Sequence, residues 1–290
     1  LKIQDGCDYR CAFCIVPAVR GKSRSLPPHV LEAQLDELVA AGVPEIVVTG
    51  VHLGTYGRDL TPRVTLVALL ERLLPRLGSA RLRLSSLDPH EVPDALIDLM
   101  AANPGRLCRY LHLPVQSCDP GVLRAMRRAH TREHLLDLVP RLASRLPGIA
   151  IGSDVIVGFP QESDAAFQNT HDTLAALPMS YFHVFSYSPR AETAAAAMPG
   201  HVPREIVATR SRVLRALSAR KHAEYARGFA GQTLSAVVHR KRHPRTGRLV
   251  AVTGNYLKVQ FEGPDALLGA CVPVRLGIDS PLSGQWAPRP

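Results

Sequence analysis

The first part of the chain alternates short apolar runs with longer stretches of helical periodicity. The apolar runs predict strands, and apolar residues spaced three and four apart predict the helices between them. The predicted strands lie at 1–4, 45–51, 81–86, 109–115, 148–158 and 181–187, and the clearest helices at 29–42, 64–77 and 131–146. Strands that alternate with helices pair in parallel through right-handed crossovers. The sequence therefore predicts an α/β fold, a partial TIM-like (β/α)6 barrel over residues 1–190.

The pattern changes after residue 190. A stretch rich in alanine at 191–203 reads as a connector, and a long basic helix is predicted over about 203–229. From Gly231 onward short apolar strands are separated by turns, which is typical of a small β-barrel. We therefore expect three parts: a barrel core at 1–190, a connector and basic helix at 191–230, and a small all-β barrel at 231–290.

Length and composition narrow the class of protein. With 290 residues, 46% of them hydrophobic, the chain is long enough for one barrel and a small second domain. No stretch approaches 18 uncharged apolar residues, and the N-terminus lacks a secretory pattern, so no membrane span or leader is predicted. Six cysteines are too few for a disulfide scaffold of this size, which indicates reduced thiols and a cytoplasmic protein.

Positive charge is concentrated in one segment. The formal net charge of the chain is +10. Residues 201–250 hold twelve Lys and Arg residues but only two acids, so the net charge of this segment equals that of the whole chain. The twelve are Arg204, Arg210, Arg212, Arg215, Arg220, Lys221, Arg227, Arg240, Lys241, Arg242, Arg245 and Arg248. Such a segment favours a polyanion, most simply nucleic acid, through counterion release. The alternative is a solvated helix face without a ligand.

Three cysteines near the start, Cys7, Cys11 and Cys14, have the spacing C-x3-C-x2-C. A structural zinc site uses four protein ligands, usually as two pairs, and the nearest downstream histidine, His29, has no second cysteine pair beside it. A cubane iron–sulfur cluster held by three thiolates keeps one iron open for another ligand. Zinc and unligated thiols remain alternatives. The other cysteines, Cys108, Cys118 and Cys271, are predicted to be buried thiols.

The cysteine loop resembles the signature of the radical S-adenosylmethionine (SAM) enzymes, and its surroundings resemble the methylthiotransferases among them. The motifs that carry this resemblance are IVPAVRGKSRS (15–25), TGVHLGTYGRDL (49–60), HLPVQSCDPGVLRAMRRAHT (112–131), SDVIVGFPQES (153–163) and GNYLKV (254–259). The run G-V-H-L-G-x-Y-G most resembles the enzymes that act on N6-threonylcarbamoyladenosine 37 of tRNA. Together the motifs span essentially the whole chain.

The resemblance implies a set of site residues. Cys7, Cys11 and Cys14 are expected to hold a [4Fe–4S] cluster whose open iron binds SAM. The expected SAM-binding residues are Phe13, Thr49, Gly50, Ser85, Gln116, Ser153, Asp154 and Gly158, with Ser153 and Asp154 both facing the pocket. The terminal module resembles the small RNA-binding barrel (TRAM type) appended to these enzymes. Its expected RNA contacts are Arg240, Lys241, Arg242, Asn255 and Tyr256.

The resemblance also implies a reaction and its partners. An electron donor such as flavodoxin or ferredoxin reduces the cluster, SAM is cleaved to a 5′-deoxyadenosyl radical, and a methylthio group is added at C2 of adenosine 37 in the tRNA anticodon loop. A splayed loop base is accessible to a protein in this way. The alternatives are isopentenyladenosine tRNA or a ribosomal-protein aspartate as the substrate, and a non-catalytic RNA-binding protein with structural zinc.

The chain starts at Leu1, where a strand is already predicted, so we expect it to be the downstream part of a longer protein. Methylthiotransferases carry an upstream domain with three further cysteines and a second [4Fe–4S] cluster, and no such triplet exists in this sequence. The expectation is that this form binds cluster and cofactor but does not complete sulfur insertion by itself.

Overall fold

The computed structural model describes residues 1–287. Its strands are β1 (Lys2–Asp5), β2 (Arg24–Ser25), β3 (Glu45–Gly50), β4 (Arg81–Leu84), β5 (Tyr110–His112), β6 (Ala150–Val157), β7 (Tyr181–Ser186), β8 (Thr233–Val238), β9 (Leu249–Thr253), β10 (Lys258–Phe261), β11 (Cys271–Leu276) and β12 (Gly284–Trp286). Its helices are α1 (Val16–Arg20), α2 (Pro28–Ala40), α3 (Leu66–Leu73), α4 (Asp94–Ala102), α5 (Pro120–Ala125), α6 (Arg132–Arg145), α7 (Asp164–Ala176) and α8 (Arg204–Arg227).

The predicted partial barrel is confirmed. Parallel ladders join β1 to β3 and β3 to β4, and a second set joins β5, β6 and β7. Single parallel bridges, Leu82 to Leu107 and Ser86 to His112, connect the two groups. A two-residue strand, β2, pairs antiparallel to β1 and was not predicted, because it is too short to leave a periodic pattern.

Two prolines shorten elements relative to the prediction. The helix expected to run to residue 77 ends at Leu73 and continues as a 3₁₀ turn, because Pro75 lacks an N–H for the α-helical ladder. The strand expected at 109–115 ends at His112, two residues before Pro114. By contrast, α6 begins where expected, after the Thr131 side chain accepts a hydrogen bond from the backbone of His134.

Alternation along the strands separates a packed outer face from an open inner face. On β3, Ile46 and Val48 are buried under the helices, whereas Val47 between them is 42% exposed on the inner side. On β7, Phe182 and Val184 are likewise buried. The inner face therefore lines a lumen that side chains do not fill, unlike a closed barrel core.

Helix α8 covers the edge of the sheet at β7. The Ser218 hydroxyl accepts a hydrogen bond from the backbone N–H of Phe182 and donates one to its carbonyl. Arg215 donates to the carbonyl of Val184. These contacts satisfy backbone groups that an edge strand otherwise leaves unpaired.

The C-terminal module is an antiparallel sheet in the order β10-β9-β8-β11-β12. A bridge from Gln260 to Ser283 brings its two ends together, so the sheet is nearly closed, as predicted for a small β-barrel. Its core includes Leu249, Phe261 and Val274.

The module is docked on the N-terminal ends of the barrel strands. Glu45 accepts hydrogen bonds from Arg81 and Arg83, and all three side chains are largely buried. The two guanidinium groups also reach backbone carbonyls of the module, at Ser235, Val252, Thr253 and Gly254. The opposite, C-terminal end of the barrel is where chemistry is placed in folds of this kind. The domain boundaries at 190 and 230 stay predictions.

Candidate active site

The cysteine loop lies between β1 and α1, at the C-terminal end of the barrel. The Cys7 N–H donates to the carbonyl of Gly21, and the Ala12 N–H donates to that of Met126. Gly6 has φ +71°, and a Cβ there would lie 2.0 Å from the carbonyl oxygen of Lys22, so the tight turn before Cys7 requires glycine. The loop is therefore held in place by backbone contacts that do not depend on a ligand.

The three thiols line one cavity of about 190 Å³. All three are free and half-buried. The lining also includes the predicted residues Phe13 and Gln116. The rest of the wall is formed by Tyr9, Val16, Val51, His52, Ser86, Asp88, Pro114 and Arg128.

The three thiols are not drawn together as tightly as the ligands of a zinc ion. Four sulfurs at tetrahedral Zn–S bonds of about 2.3 Å stand roughly 3.8 Å apart. Within residues 1–287, the group of three metal-ligating side chains whose donor atoms all lie within 4.8 Å of one another is His112, Asp154 and His183, and the cysteine triplet is not such a group. A cubane carries its irons at separate corners, so its thiolates stand farther apart. Three free cysteine thiols on one cavity are the donor set of an iron–sulfur cluster that keeps one iron open.

A buried hydrogen-bond network flanks Cys7. Its Sγ lies 3.3 Å from His52 Nδ1, and His52 Nε2 lies 2.5 Å from Glu91 Oε2. The Glu91 carboxylate also accepts from Tyr9 and Arg58. Burial by itself lowers the pKa of His52, but the hydrogen bonds to Cys7 and Glu91 outweigh burial and raise it to about 9.

A second network flanks Cys11. Arg128 donates to the Cys11 sulfur at 3.5 Å, to the carbonyl of Pro114 and to the Asp88 carboxylate. Burial opposes ionisation of Asp88, but hydrogen bonds from His130 and His90 and the charge of Arg128 hold its pKa far below the ordinary value. Arg128 therefore places a positive charge in the cavity beside the Cys11 thiol, and the buried Asp88 carboxylate holds it there.

Gln116 stands on strained backbone at the cavity wall. Its φ is +64°, a left-handed conformation that is uncommon outside glycine. Its N–H donates to the carbonyl of Asp154, and its own carbonyl accepts from Ile156, so strand β6 holds it on both sides. Strain of this kind, over-determined by its neighbours, clusters at functional sites.

Thr49 and Ser85 lie on the inner side of the barrel but outside the cavity lining. Thr49 is exposed near the end of β3, and Ser85 follows β4. The Ser85 hydroxyl is buried and has no hydrogen-bond partner within residues 1–287. A buried hydroxyl without a hydrogen-bond partner, at the end of a barrel strand, can bind a polar ligand.

Both predicted glycines have a packing reason for being glycine. A Cβ at Gly50 would lie 3.0–3.2 Å from atoms of Gln4 on the neighbouring strand. Gly158 has φ +75°, and a Cβ there would lie 2.3 Å from Val207 on α8. Neither residue lines the cavity.

Ser153 and Asp154 point to opposite faces of β6, so the expectation that both face the pocket is not met. Ser153 is fully buried and pairs in register with buried Phe182, on the helix side. Asp154 pairs with His183 on the inner face, where its two carboxylate oxygens lie 3.1 Å from His112 Nε2 and 3.2 Å from His183 Nδ1. Successive residues of a strand alternate faces, which excludes a shared pocket.

The five predicted RNA contacts divide into two groups. Arg240 and Lys241 are exposed and line a cleft of about 790 Å³ between the module and the barrel. Arg242 is instead tied to Asp265 and to two backbone carbonyls. Asn255 is buried and accepts from Thr253. Tyr256 stacks on Tyr110 of the barrel, so these last two residues lie at or beside the docking interface.

The basic segment also contributes to the interior. Arg210 is buried between Glu162 and Asp164, and Lys221 donates to the carbonyls of Ala175 and Leu177. Fewer than twelve Lys and Arg side chains of residues 201–250 therefore face solvent. The number of basic residues in this segment overstates the positive charge that a polyanion can contact.

The remaining cysteines are partly as predicted. Cys108 and Cys118 are buried, and burial raises the pKa of each thiol to about 12. The prediction for Cys271 is wrong, because it is exposed on strand β11. Its side chain points outward by strand alternation, whereas Val272 is buried.

Several site residues had no assigned role in the sequence. Tyr9, Asp88 and Arg128 line the thiol cavity from three different parts of the chain, and Glu91 lies behind them in contact with His52 and Tyr9. His52 lies within the motif at 49–60 that carries the resemblance. The spacing of these residues along the sequence does not predict their contacts, since they meet only when the barrel strands pair.

Comparison with known proteins agrees with this geometry. Residues 1–174 match the model of the radical SAM superfamily. The chain is 37% identical, over 95% of its length, to threonylcarbamoyladenosine tRNA methylthiotransferase MtaB of Bacillus subtilis (strain 168). It is 35% identical over 93% of its length to tRNA-2-methylthio-N(6)-dimethylallyladenosine synthase of Moorella thermoacetica, and 36% identical over 86% to ribosomal protein uS12 methylthiotransferase RimO of Chlamydia pneumoniae.

The chain spans 61%, 61% and 53% of the length of these three curated relatives. Among solved structures, it superposes on the radical SAM methyltransferase TsrM of Kitasatospora setae with a TM-score of 0.57 at 19% identity, over 68% of this chain and 38% of that one. It superposes on coproporphyrinogen III oxidase HemN of Escherichia coli with a TM-score of 0.54 at 15% identity, over 96% and 65%. At such identities the superpositions establish the fold alone.

Proposed function

The chain belongs to the radical SAM superfamily, and we propose on that premise that it is a tRNA methylthiotransferase acting at C2 of N6-threonylcarbamoyladenosine 37. The observation that carries the proposal is one cavity lined by all three thiols at the C-terminal mouth of an open barrel. The similarity to MtaB supports the threonylcarbamoyl substrate, although relatives with other substrates are nearly as similar.

Cys7, Cys11 and Cys14 would hold a [4Fe–4S] cluster, and SAM would bind at the iron that they leave open. When reduced, this pair supplies a 5′-deoxyadenosyl radical that removes hydrogen from an unreactive C–H bond. The chain's own residues orient the reactants. Arg128 places a fixed positive charge beside the thiols, which suits the carboxylate of a bound amino acid. Ser85, Thr49 and Asp154 offer polar groups along the inner wall.

The substrate tRNA would meet two different surfaces. The lumen is open and carries exposed apolar side chains, Val47 and Phe185, against which a splayed base can pack. Arg240 and Lys241 in the cleft suit the phosphate backbone.

No helix within residues 1–287 has the length and apolarity needed to cross a bilayer. The electron donor is of the flavodoxin or ferredoxin class.

The substrate assignment is tested with the anaerobically reconstituted protein. Purified tRNA bearing threonylcarbamoyladenosine, tRNA bearing isopentenyladenosine, and ribosomal protein uS12 are offered in parallel with SAM and dithionite. We expect 5′-deoxyadenosine release to be stimulated by the first tRNA. A methylthio product in nucleoside digests is expected only when the upstream domain with the second cluster is also supplied. Stimulation by one of the other two substrates alone would overturn the assignment, and no SAM cleavage at all would overturn the class of reaction.

A further inference from the structure

We propose that His52 is a positioning residue that donates a hydrogen bond to the Cys7 thiolate and thereby raises the reduction potential of the bound cluster. The inference rests on the proposed function only in requiring that Cys7 ligates iron. It is independent of which RNA or protein is the substrate.

The imidazole of His52 is fixed on three sides. Its Nε2 lies 2.5 Å from Glu91, whose carboxylate is 2% exposed, and its Nδ1 lies 3.3 Å from Cys7 Sγ. The ring of Tyr9 lies against its face, with ring centroids 4.5 Å apart. Its backbone N–H donates to the Gln4 side chain at 2.9 Å. Because His52 lies two residues after the end of β3, the strand end sets its position over the cysteine loop.

The direction of the hydrogen bonds follows from the chemistry of the partners. An ionised carboxylate only accepts, so the hydrogen of the Nε2 contact belongs to His52. A cysteine that ligates a metal is a thiolate and also only accepts. Nδ1 must therefore be the donor in the loaded protein, and the buried Glu91 carboxylate stabilises that state of the ring.

Each thiol has a donor of a different kind. Cys11 receives the Arg128 guanidinium, and Cys14 receives the backbone N–H of Val16. Replacing His52, the Cys7 donor, leaves the Arg128–Asp88 ion pair in place and leaves Glu91 paired with Arg58. Hydrogen bonds to cluster sulfurs stabilise the more negative, reduced cluster and raise its potential. Loss of the His52 donor should therefore make the cluster harder to reduce.

The test measures the midpoint potential of the reconstituted cluster by redox titration followed by EPR, without SAM or substrate. His52→Leu removes the donor at similar volume. It is expected to lower the equilibrium constant for cluster reduction at least tenfold, which lowers the midpoint potential by at least 59 mV for a one-electron couple. His52→Asn retains an N–H and should lie between wild type and His52→Leu. His90→Gln is the matched control, because His90 contacts Tyr9 and Asp88 but no thiol. In this variant the equilibrium constant for cluster reduction should change less than twofold.

A second measurement covers the case in which His52→Leu takes up no iron. In wild-type protein with ¹⁵N-labelled histidine, pulsed EPR of the reduced cluster should show a coupled histidine nitrogen that His90→Gln retains. An unchanged potential in iron-loaded His52→Leu, or no coupled nitrogen in wild type, overturns the inference while leaving the cluster in place. A wild-type protein that assembles no cluster overturns the proposed function instead, and the inference with it.

Discussion

Tyr256 of the C-terminal module stacks on Tyr110 of the barrel, with ring centroids 4.2 Å apart and an interplanar angle of 21°. The Arg83 guanidinium lies 5.3 Å and 5.2 Å from the centroids of Tyr110 and Tyr256, within cation–π range. Tyr110 also meets the hydroxyl of Tyr181 at 3.0 Å. The module thus closes the N-terminal end of the lumen, and the cysteine loop lies at the other end.

Truncating Tyr256 should weaken this docking. Tyr256→Ala is expected to lower the free energy of unfolding by about 1–3 kcal/mol, since it removes a stacked ring that remains 40% exposed. Tyr256→Phe keeps the ring and should remain close to wild type. Chemical denaturation of the three proteins measures the difference. If Tyr256→Ala loses tRNA affinity but no stability, the residue is an RNA contact and not a docking residue.

The buried Glu45 should make docking sensitive to acid. Burial alone would raise the pKa of Glu45, but Arg83 and Arg81 outweigh it and lower the pKa. Glu45→Gln leaves two buried guanidinium groups without a counterion and should cost about 3 kcal/mol at pH 7.

The sign of the pH dependence follows from the lowered pKa. The ionised carboxylate contributes its full stability above the unfolded-state pKa of about 4.3, and that contribution is lost as the pH falls through the lower folded-state value. The stability gap between wild type and Glu45→Gln should therefore be constant from pH 7 to about pH 5.5 and shrink below about pH 4. A gap that does not depend on pH in urea titrations would contradict this account.

Gly158 should tolerate no side chain. Gly158→Ala places a Cβ on left-handed backbone and 2.3 Å from Val207, and should destabilise by about 2–4 kcal/mol. Gly105→Ala is the control, because Gly105 has φ +80° but open space around it, so only the backbone cost of about 1–2 kcal/mol remains. Equal losses of stability in the two variants would show that α8 does not press on Gly158.

Neighbouring basic residues of the module should respond differently to substitution. Arg240→Ala and Lys241→Ala should each weaken tRNA binding at all sequences and reduce the slope of log affinity against log salt by about 1. Arg242→Ala should chiefly destabilise the module, because its guanidinium is tied to Asp265 and two carbonyls. Binding titrations at several salt concentrations, with thermal melts, separate the two effects. A full salt slope in Arg240→Ala would remove that residue from the interface.

The sequence was sufficient for the elements and for the ligands that lie close together along the chain. The six parallel strands and the three thiols follow from periodicity and local spacing. It was insufficient where tertiary contact decides the role of a residue. Asn255 and Tyr256 were expected at RNA, yet the module is docked there, and Ser153 was expected in the pocket although strand alternation turns it away. His52 and Arg128 contact thiols, and Glu91 contacts His52, across long sequence separations that no local pattern encodes.

The central claim is that Cys7, Cys11 and Cys14 hold an iron–sulfur cluster with one open iron. The most direct measurement is iron and sulfide analysis, with EPR of the reduced sample, on anaerobically reconstituted wild type and Cys11→Ala. The account predicts about four irons with matching sulfide per wild-type chain, an EPR signal altered by added SAM, and no stable cluster in Cys11→Ala, whose tRNA affinity persists. About one zinc per chain, or iron that Cys11→Ala retains unchanged, would contradict it.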